Sequence, residues 1–287
     1  ADAATRYSLE PDFTSFKDRL ILAPLDLRDI STVRRLIENI RSHYGRLDIL
    51  INNAACTVWR PPIFYRHLLH AEAAAVDNPA LLHDLVKPSF SMELAHAPPL
   101  LVQDHAINQG DLDDNTMSES STPPTITTVA ATLPSQTFTK LPKSAHLSQC
   151  PLFASDVPSV SPSDFPAGHL DQDGQQVDLR SNTSWRQRIG DIGMHELAET
   201  TLVNQLSPTL LINDLVPTMA ATPGVKTIVN VSAMEGQFHR FKTPHHPHTN
   251  MCKAALHMLT RTIAHDLATT SSIYTHAVDT GWITREP

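Results

Sequence analysis

Glycine is scarce in this chain, nine of 287 residues, and none occurs before Gly45. A glycine-rich turn between a strand and a helix, which seats a diphosphate on a helix N-terminus, therefore has no counterpart in the first part of the sequence. Cysteine is equally sparse. Cys56, Cys150 and Cys252 are odd in number and widely spaced, which speaks against a disulfide framework and for a reduced, cytoplasmic protein. Tyrosine occurs four times, and never between Tyr65 and Tyr274. Positive charge is in deficit: 22 Lys and Arg stand against 30 Asp and Glu, for a net charge of -8 and a pI near 6.0. That balance argues against a nucleic-acid partner, which calls for a basic patch. No run reaches the roughly eighteen apolar residues of a membrane-spanning helix, so no membrane partner is expected. The opening residues ADAATRYSLEPDF lack the charged and apolar regions of a signal peptide. They also lack an initiator Met, so a processed product or a fragment is expected.

The chain is 41% apolar, enough for one sizeable core or two smaller ones. Residues 1–19 are polar and turn-rich and suit a helical turn or two. Leu20 to Leu25 reads as a strand, with Pro24 placing it at an edge or a bulge. Asp29 or Ser31 can cap the next helix, on which Val33, Leu36, Ile37 and Ile40 recur at helical spacing. Gly45 stops it, and Leu47 to Ile51 reads as a buried parallel strand. This is a βαβ pattern. Residues 60–95 hold one or two helices (Ile63 to Leu69, Ala80 to Val86). Residues 96–182 are rich in Pro, Ser, Thr and Asp and have little periodicity, the mark of a disordered insertion. From Trp185 to Met219 apolar residues return at helical spacing, with a kink expected at Pro208. A strand at 227–231, a long helix from Thr249 to Ala268 and a strand from Ile273 to Val278 follow. The alternation predicts an α/β fold: a Rossmann-like, doubly wound parallel sheet, incomplete at its N-terminus and carrying a long insertion. Three parts result, 1–56 and 184–287 as the two pieces of that domain and 57–183 as the insertion.

Ligands in such sheets bind beyond the carboxyl ends of the strands, where Asp26, Asn52, Ser232 and Gly281 stand. The stretch from Lys226 to Lys253, KTIVNVSAMEGQFHRFKTPHHPHTNMCK, is the chemically suggestive one. It places a hydroxyl at a strand end and a lysine near a helix start, an arrangement that can act on a carbonyl. His245, His246 and His248 cluster among the sixteen histidines. They lack the i, i+4 spacing and the nearby Cys or carboxylate that a tetrahedral metal site needs, so no metal is expected.

Taken in order, Asp26-Leu27, Asn52-Asn53-Ala54-Ala55, Asn204, Ser232, Lys253 and Gly281 resemble the short-chain dehydrogenase/reductase family. The resemblance covers roughly residues 20–56 and 184–285. HPHTNMxKAALxMLTRT and VDTGWIT resemble more closely a group of uncharacterised fungal and plant relatives of that family. It implies a nicotinamide dinucleotide, NAD or NADP, and a small carbonyl or alcohol substrate, with a homo-oligomer expected by analogy. It assigns Asp26 and Leu27 to the adenine ring. Asn53, Ala54 and Ala55 would approach the cofactor ribose, with Ala55 where the family has Gly. Asn204 would hold a water in a proton relay, Ser232 would polarise the substrate carbonyl, and Gly281 would occupy a Pro-Gly turn flanking the nicotinamide.

Lys253 would bind the nicotinamide ribose and lower the pKa of a tyrosine four residues earlier, on the same helix face. That position is Thr249. A threonine hydroxyl does not titrate in the useful range. His248 adjoins it, and histidine is the side chain suited to proton transfer near neutral pH, but this one lies one residue off the Thr249–Lys253 face, and a loop or capping histidine is the plainer reading. The first strand and glycine-rich turn of the family are also missing, as if upstream of Ala1 or lost. Two functional readings follow: an NAD(P)-dependent oxidoreductase, or a catalytically silent relative or truncated product acting as a binding or scaffold protein. Membership of the family favours the first. Thr249 favours the second for the activity of this chain.

Overall fold

The computed structural model describes residues 2–76, 161–171 and 174–281. Two short helices, α1 (Asp2–Ser8) and α2 (Phe13–Phe16), open the chain. Helix α3 (Ile30–Asn39) begins where Asp29 accepts the Thr32 N–H at 3.2 Å, the cap expected of it. It runs into a π turn at Ile40–Tyr44 and ends at Gly45, whose φ of +57° suits a residue without Cβ. Strand β1 (Ile49–Asn52) follows, then a 3-10 turn (Pro62–Tyr65) and α4 (Arg66–Val76).

Beyond the undescribed stretch come α5 (Met194–Thr201), a π turn (Leu202–Leu206) and α6 (Ser207–Ala221). Strand β2 (Lys226–Ser232), a 3-10 turn (Met234–Gly236), α7 (Pro247–Ser271) and β3 (Ile273–Asp279) complete the fold. The strands form one sheet in the order β1-β2-β3, all parallel, with Asn52 opposite Asn230 and Ser232 opposite Asp279.

Alternation decides which strand residues meet the helices. Ile228 and Ile273 join Ile212 and Met219 of α6, with Leu259, Ile263 and Leu267 of α7 packed against them. A second cluster joins Val33 and Ile37 of α3 to Leu211 and Leu215 of α6. Leu50 of β1 touches both. The opposite sheet face, with Ile49, Ile51, Tyr274 and Val278, is exposed among the described residues. The second helical layer of a doubly wound sheet is therefore not among them.

Three expectations need correction. Leu20 to Leu25 forms no strand. Among the described residues no segment pairs with it, and it contributes through packing, with Leu25 against the α3–α6 cluster. The helix expected from Trp185 starts only at Met194. The preceding segment turns, and Arg188 bridges to His245. The kink expected at Pro208 is a π turn completed just before it. Pro208 then sits in the first turn of α6, where its missing N–H is no loss.

Of the stretch set apart as an insertion, the helix expected at 80–86 and most of 96–182 lie outside the described residues. Its two ends are folded and joined. Asp178 takes ion pairs from both Arg60 and Arg180, and the Trp59 N–H donates to Ser184 Oγ at 2.7 Å.

Candidate functional site

The ends of β1 and β2 are fastened by amide side chains. Asn52 Nδ2 donates to Asn230 Oδ1 at 2.9 Å, and Asn230 Nδ2 donates to Thr260 Oγ1 of α7 at 3.0 Å. Asn52 thus ties the ends of adjacent strands. Asn53, Ala54 and Ala55 emerge exposed from the end of β1.

Asn204, in the π turn, is buried. Its Nδ2 donates to the Cys56 carbonyl and its Oδ1 accepts the Cys56 N–H, both at 2.7 Å. It holds backbone directly, so both ends of its amide are used. Burial, with Glu199 and Glu196 nearby, pushes the Cys56 thiol up to about 12.

Ser232 closes β2 and is 3% exposed. Its hydroxyl donates to the Lys253 carbonyl at 3.3 Å. Lys253, also 3% exposed, points its Nζ at the Val231 carbonyl, 3.0 Å away. Burial lowers the pKa of this ammonium, against the opposing pull of Cys252 and Glu235. A close approach fixes the pair: a Cβ on Gly236 would stand 2.5 Å from the Lys253 carbonyl carbon. Thr249, one turn before Lys253, is 1% exposed, and its hydroxyl has no hydrogen-bond partner among the described residues.

His248 is buried and its Nε2 lies 3.2 Å from Glu196 Oε1. Ser184 Oγ also donates to Oε1, and Gln187 Nε2 reaches Oε2 at 2.9 Å. Burial alone would raise the pKa of Glu196. Hydrogen bonds from His248, Ser184 and Gln187 outweigh it and hold the carboxyl below its usual range. Sequence reasoning missed Glu196, Ser184 and Gln187. The readable signal was the i, i+4 series Glu196, Thr200 and Asn204, three polar residues along one buried stripe.

Asp26 is engaged as well. Its carboxylate accepts the Arg28 backbone N–H and pairs with the Arg28 guanidinium at 2.8 Å, while Arg28 Nη1 donates to Glu199 Oε1 at 2.8 Å. Burial opposes the charge on Arg28, but the two carboxylates overcome it and raise its pKa. Burial raises that of Glu199. Leu27 packs into the α3–α6 cluster, and its carbonyl accepts the Ser207 hydroxyl at 2.6 Å. At the far end of the sheet the Gly281 N–H donates to Asp279 Oδ1 at 2.9 Å.

The structure therefore brings Ser232, Thr249, Lys253 and Gly236 together, and sets Asp26 apart in an ion-pair cluster with Arg28 and Glu199. Among the described residues no group of three or more His, Cys, Asp or Glu is placed to hold a metal. For a dinucleotide the fit is partial. Exposed small residues at the end of β1 and Gly281 after β3 leave backbone accessible. The side chains of Asp26, Lys253 and Thr249 are turned to partners or into the interior.

Residues 8–67 match the family model described as short chain dehydrogenase, and residues 179–286 match the one described as Enoyl-(Acyl carrier protein) reductase. Two uncharacterized oxidoreductases of Schizosaccharomyces pombe are each 34% identical over 44 residues, 15% of this chain and 19% of theirs. A short-chain dehydrogenase from Streptomyces avermitilis is 13% identical with a TM-score of 0.44, covering 95% of this chain and 52% of that one. A putative short-chain dehydrogenase/reductase from Burkholderia multivorans with bound NADP is 22% identical with a TM-score of 0.31, over 35% and 42% of the two chains. The chain thus spans about a fifth of the length of those yeast relatives and about half of the Streptomyces structure. The two family matches lie on either side of residues 68–178, and the chain belongs to the short-chain dehydrogenase/reductase superfamily.

Proposed function

We propose that this chain keeps the scaffold of an NAD(P)-dependent short-chain oxidoreductase without its proton-transfer step, and serves as a catalytically silent binding or scaffold protein. The observation that carries this reading is the Thr249 hydroxyl, 1% exposed and without a hydrogen-bond partner among the described residues. Reduction of a carbonyl or oxidation of an alcohol requires a titratable group within hydrogen-bond reach of the substrate oxygen. Thr249 does not titrate usefully, and it does not reach the surface. Ser232 donates its hydrogen bond to the Lys253 carbonyl, and Lys253 donates one to the Val231 carbonyl. His248 is turned to Glu196.

A nicotinamide dinucleotide, NAD or NADP, would supply or accept the hydride when bound. Asn53, Ala54, Ala55 and Gly281 are the residues that would border it. A reducing compartment such as the cytoplasm and a homo-oligomeric state belong to the same reading. The competing reading is an active oxidoreductase on a small carbonyl or alcohol. It is favoured by the retention of Ser232 and Lys253 in direct contact.

Calorimetric titration with NADH and with NADPH, followed by rapid mixing with a panel of aldehydes and ketones, separates the two. Saturable binding without hydride transfer is expected. Turnover that is lost in Ser232→Ala would establish the active reading instead. Absence of saturable binding to both dinucleotides would remove the cofactor from the proposal and leave a scaffold.

A further inference from the structure

The candidate site leaves one exposed feature unused, the segment between β2 and α7. Residues 238–244, Phe-His-Arg-Phe-Lys-Thr-Pro, are all exposed. Phe238 is 87% and Phe241 90% exposed. Such exposure of two neighbouring phenyl rings is costly in water. The Lys242 ammonium staples the base of the loop, donating to the Met234 carbonyl at 3.0 Å and the Glu235 carbonyl at 2.7 Å. The turn from Gln237 to Arg240 then leaves both rings outside.

Charge adds a second, independent observation. In a chain of net charge -8, no Asp or Glu occurs from Gly236 to His265, while the exposed Arg240, Lys242 and Arg261 do. The bridge between Arg188 and His245 brings a second exposed segment alongside, with Arg186, Arg188 and the 82% exposed Ile189. Asp191, whose carboxylate accepts the Arg188 N–H, and the half-buried Glu235 are the acids of this patch.

Exposed aromatic rings interleaved with cations suit the boundary between lipid headgroups and acyl chains, where rings enter the apolar layer and cations meet anionic headgroups. A protein partner of comparable strength would need a broad complementary surface. A protruding Phe-x-x-Phe loop needs only a plane. No helix of the described residues is long and apolar enough to cross a membrane, and surface docking requires none. We propose that the Phe238–Pro244 loop, with Arg186, Arg188 and Ile189 beside it, docks this protein on an anionic lipid surface.

Co-sedimentation of the full chain with vesicles of phosphatidylcholine alone, and of phosphatidylcholine with phosphatidylserine, tests this. Binding only to the anionic vesicles, reversed by about 0.5 M salt, is expected. The Phe238→Ser/Phe241→Ser variant is expected to lose at least about tenfold in partitioning. Arg240→Glu removes a cation and adds an anion, a change of two charges, and is expected to lose about thirtyfold. All three side chains are exposed, and an unchanged far-UV spectrum and melting temperature confirm that the variants fold. Equal sedimentation with both vesicle types overturns the proposal, as does wild-type partitioning of the double phenylalanine variant. Binding to polyglutamate that survives loss of both rings, without vesicle binding, assigns the patch to an acidic protein and overturns it too.

Discussion

The Ser232 hydroxyl donates to the backbone carbonyl of Lys253 across 3.3 Å, joining the end of β2 to the first turns of α7. Gly236 completes the joint, since a Cβ there would meet Lys253 and Ala254 backbone atoms at 2.5 to 2.7 Å. Backbone does not yield as a side-chain tip does. Gly236→Ala is therefore expected to cost about 1–3 kcal/mol through overpacking. Ser232→Ala removes one buried hydrogen bond and is expected to cost about 1 kcal/mol. Thermal melts of the two variants check the order. A melting temperature for Gly236→Ala equal to wild type would mean that the joint opens easily.

Lys253 sits in the same joint, its ammonium donating to the Val231 carbonyl. Burial lowers its pKa below the ordinary 10.5. The folded state is thus penalised for holding the charge. The penalty is full below the folded pKa and is relieved as pH rises from that value to 10.5, because the unfolded chain then binds the extra proton. Lys253→Met is expected to raise stability at neutral pH, with the gain shrinking as the buffer becomes alkaline. Urea unfolding of wild type and variant at neutral and alkaline pH measures this. A variant less stable than wild type at neutral pH would refute it.

Glu196 behaves in the opposite sense. Its folded pKa lies below the ordinary 4.5, held down against burial by His248, Ser184 and Gln187. The stabilisation is present above that ordinary value and lost as pH falls through the folded pKa. Glu196→Gln should flatten the acid limb of the stability profile and cost about 1–3 kcal/mol near neutrality, since a buried charged acceptor is lost to three donors. Unfolding midpoints measured across the acid range decide the matter, and an unchanged acid limb would show that Glu196 does not titrate as argued.

These partnerships show how far the sequence could be read. Strands β1, β2 and β3 and helices α3 and α7 follow from apolar periodicity, with end shifts of a residue or a few. Asp29 and Gly45 are legible because a cap and a positive φ are local demands. The Leu20 to Leu25 segment is misread because a strand is defined by its neighbour, which a local pattern does not contain. The π turn at Leu202–Leu206 shifts the helical phase without altering composition. The burial of Asn204 could be read from its helix face. Its clamp on Cys56, 148 residues away in sequence, could not. The same holds for His248 and Glu196, and for the engagement of Asp26 by Arg28 and Glu199.

That last cluster gives a sharp test of the adenine role. Arg28 pairs with two carboxylates at once, and all three side chains are largely buried. Arg28→Met would leave Asp26 and Glu199 facing each other, at a cost of about 3–5 kcal/mol for uncompensated buried charge. Asp26→Asn should also destabilise, because it breaks the same pairing. If Asp26 served only a dinucleotide, Asp26→Asn would weaken binding and leave the melting temperature of the free protein unchanged. Differential scanning fluorimetry without ligand separates the two roles.

Asn204 offers a chemical readout as well as a thermal one. Its side chain both donates to and accepts from Cys56 at 2.7 Å, and so pins the chain that leaves β1. Removing it leaves a buried backbone N–H and C=O without partners, so Asn204→Ala is expected to cost about 2–4 kcal/mol. Release of that segment should also expose Cys56, whose thiol burial holds up near 12 and keeps unreactive at neutral pH. Reaction with a thiol reagent under native conditions should therefore quicken markedly in Asn204→Ala. Cys56→Ser in that background should abolish the fast phase and identify its source. A rate equal to wild type, in a variant shown to be folded, would mean that the β1 exit is held by other contacts and that Asn204 is not its anchor.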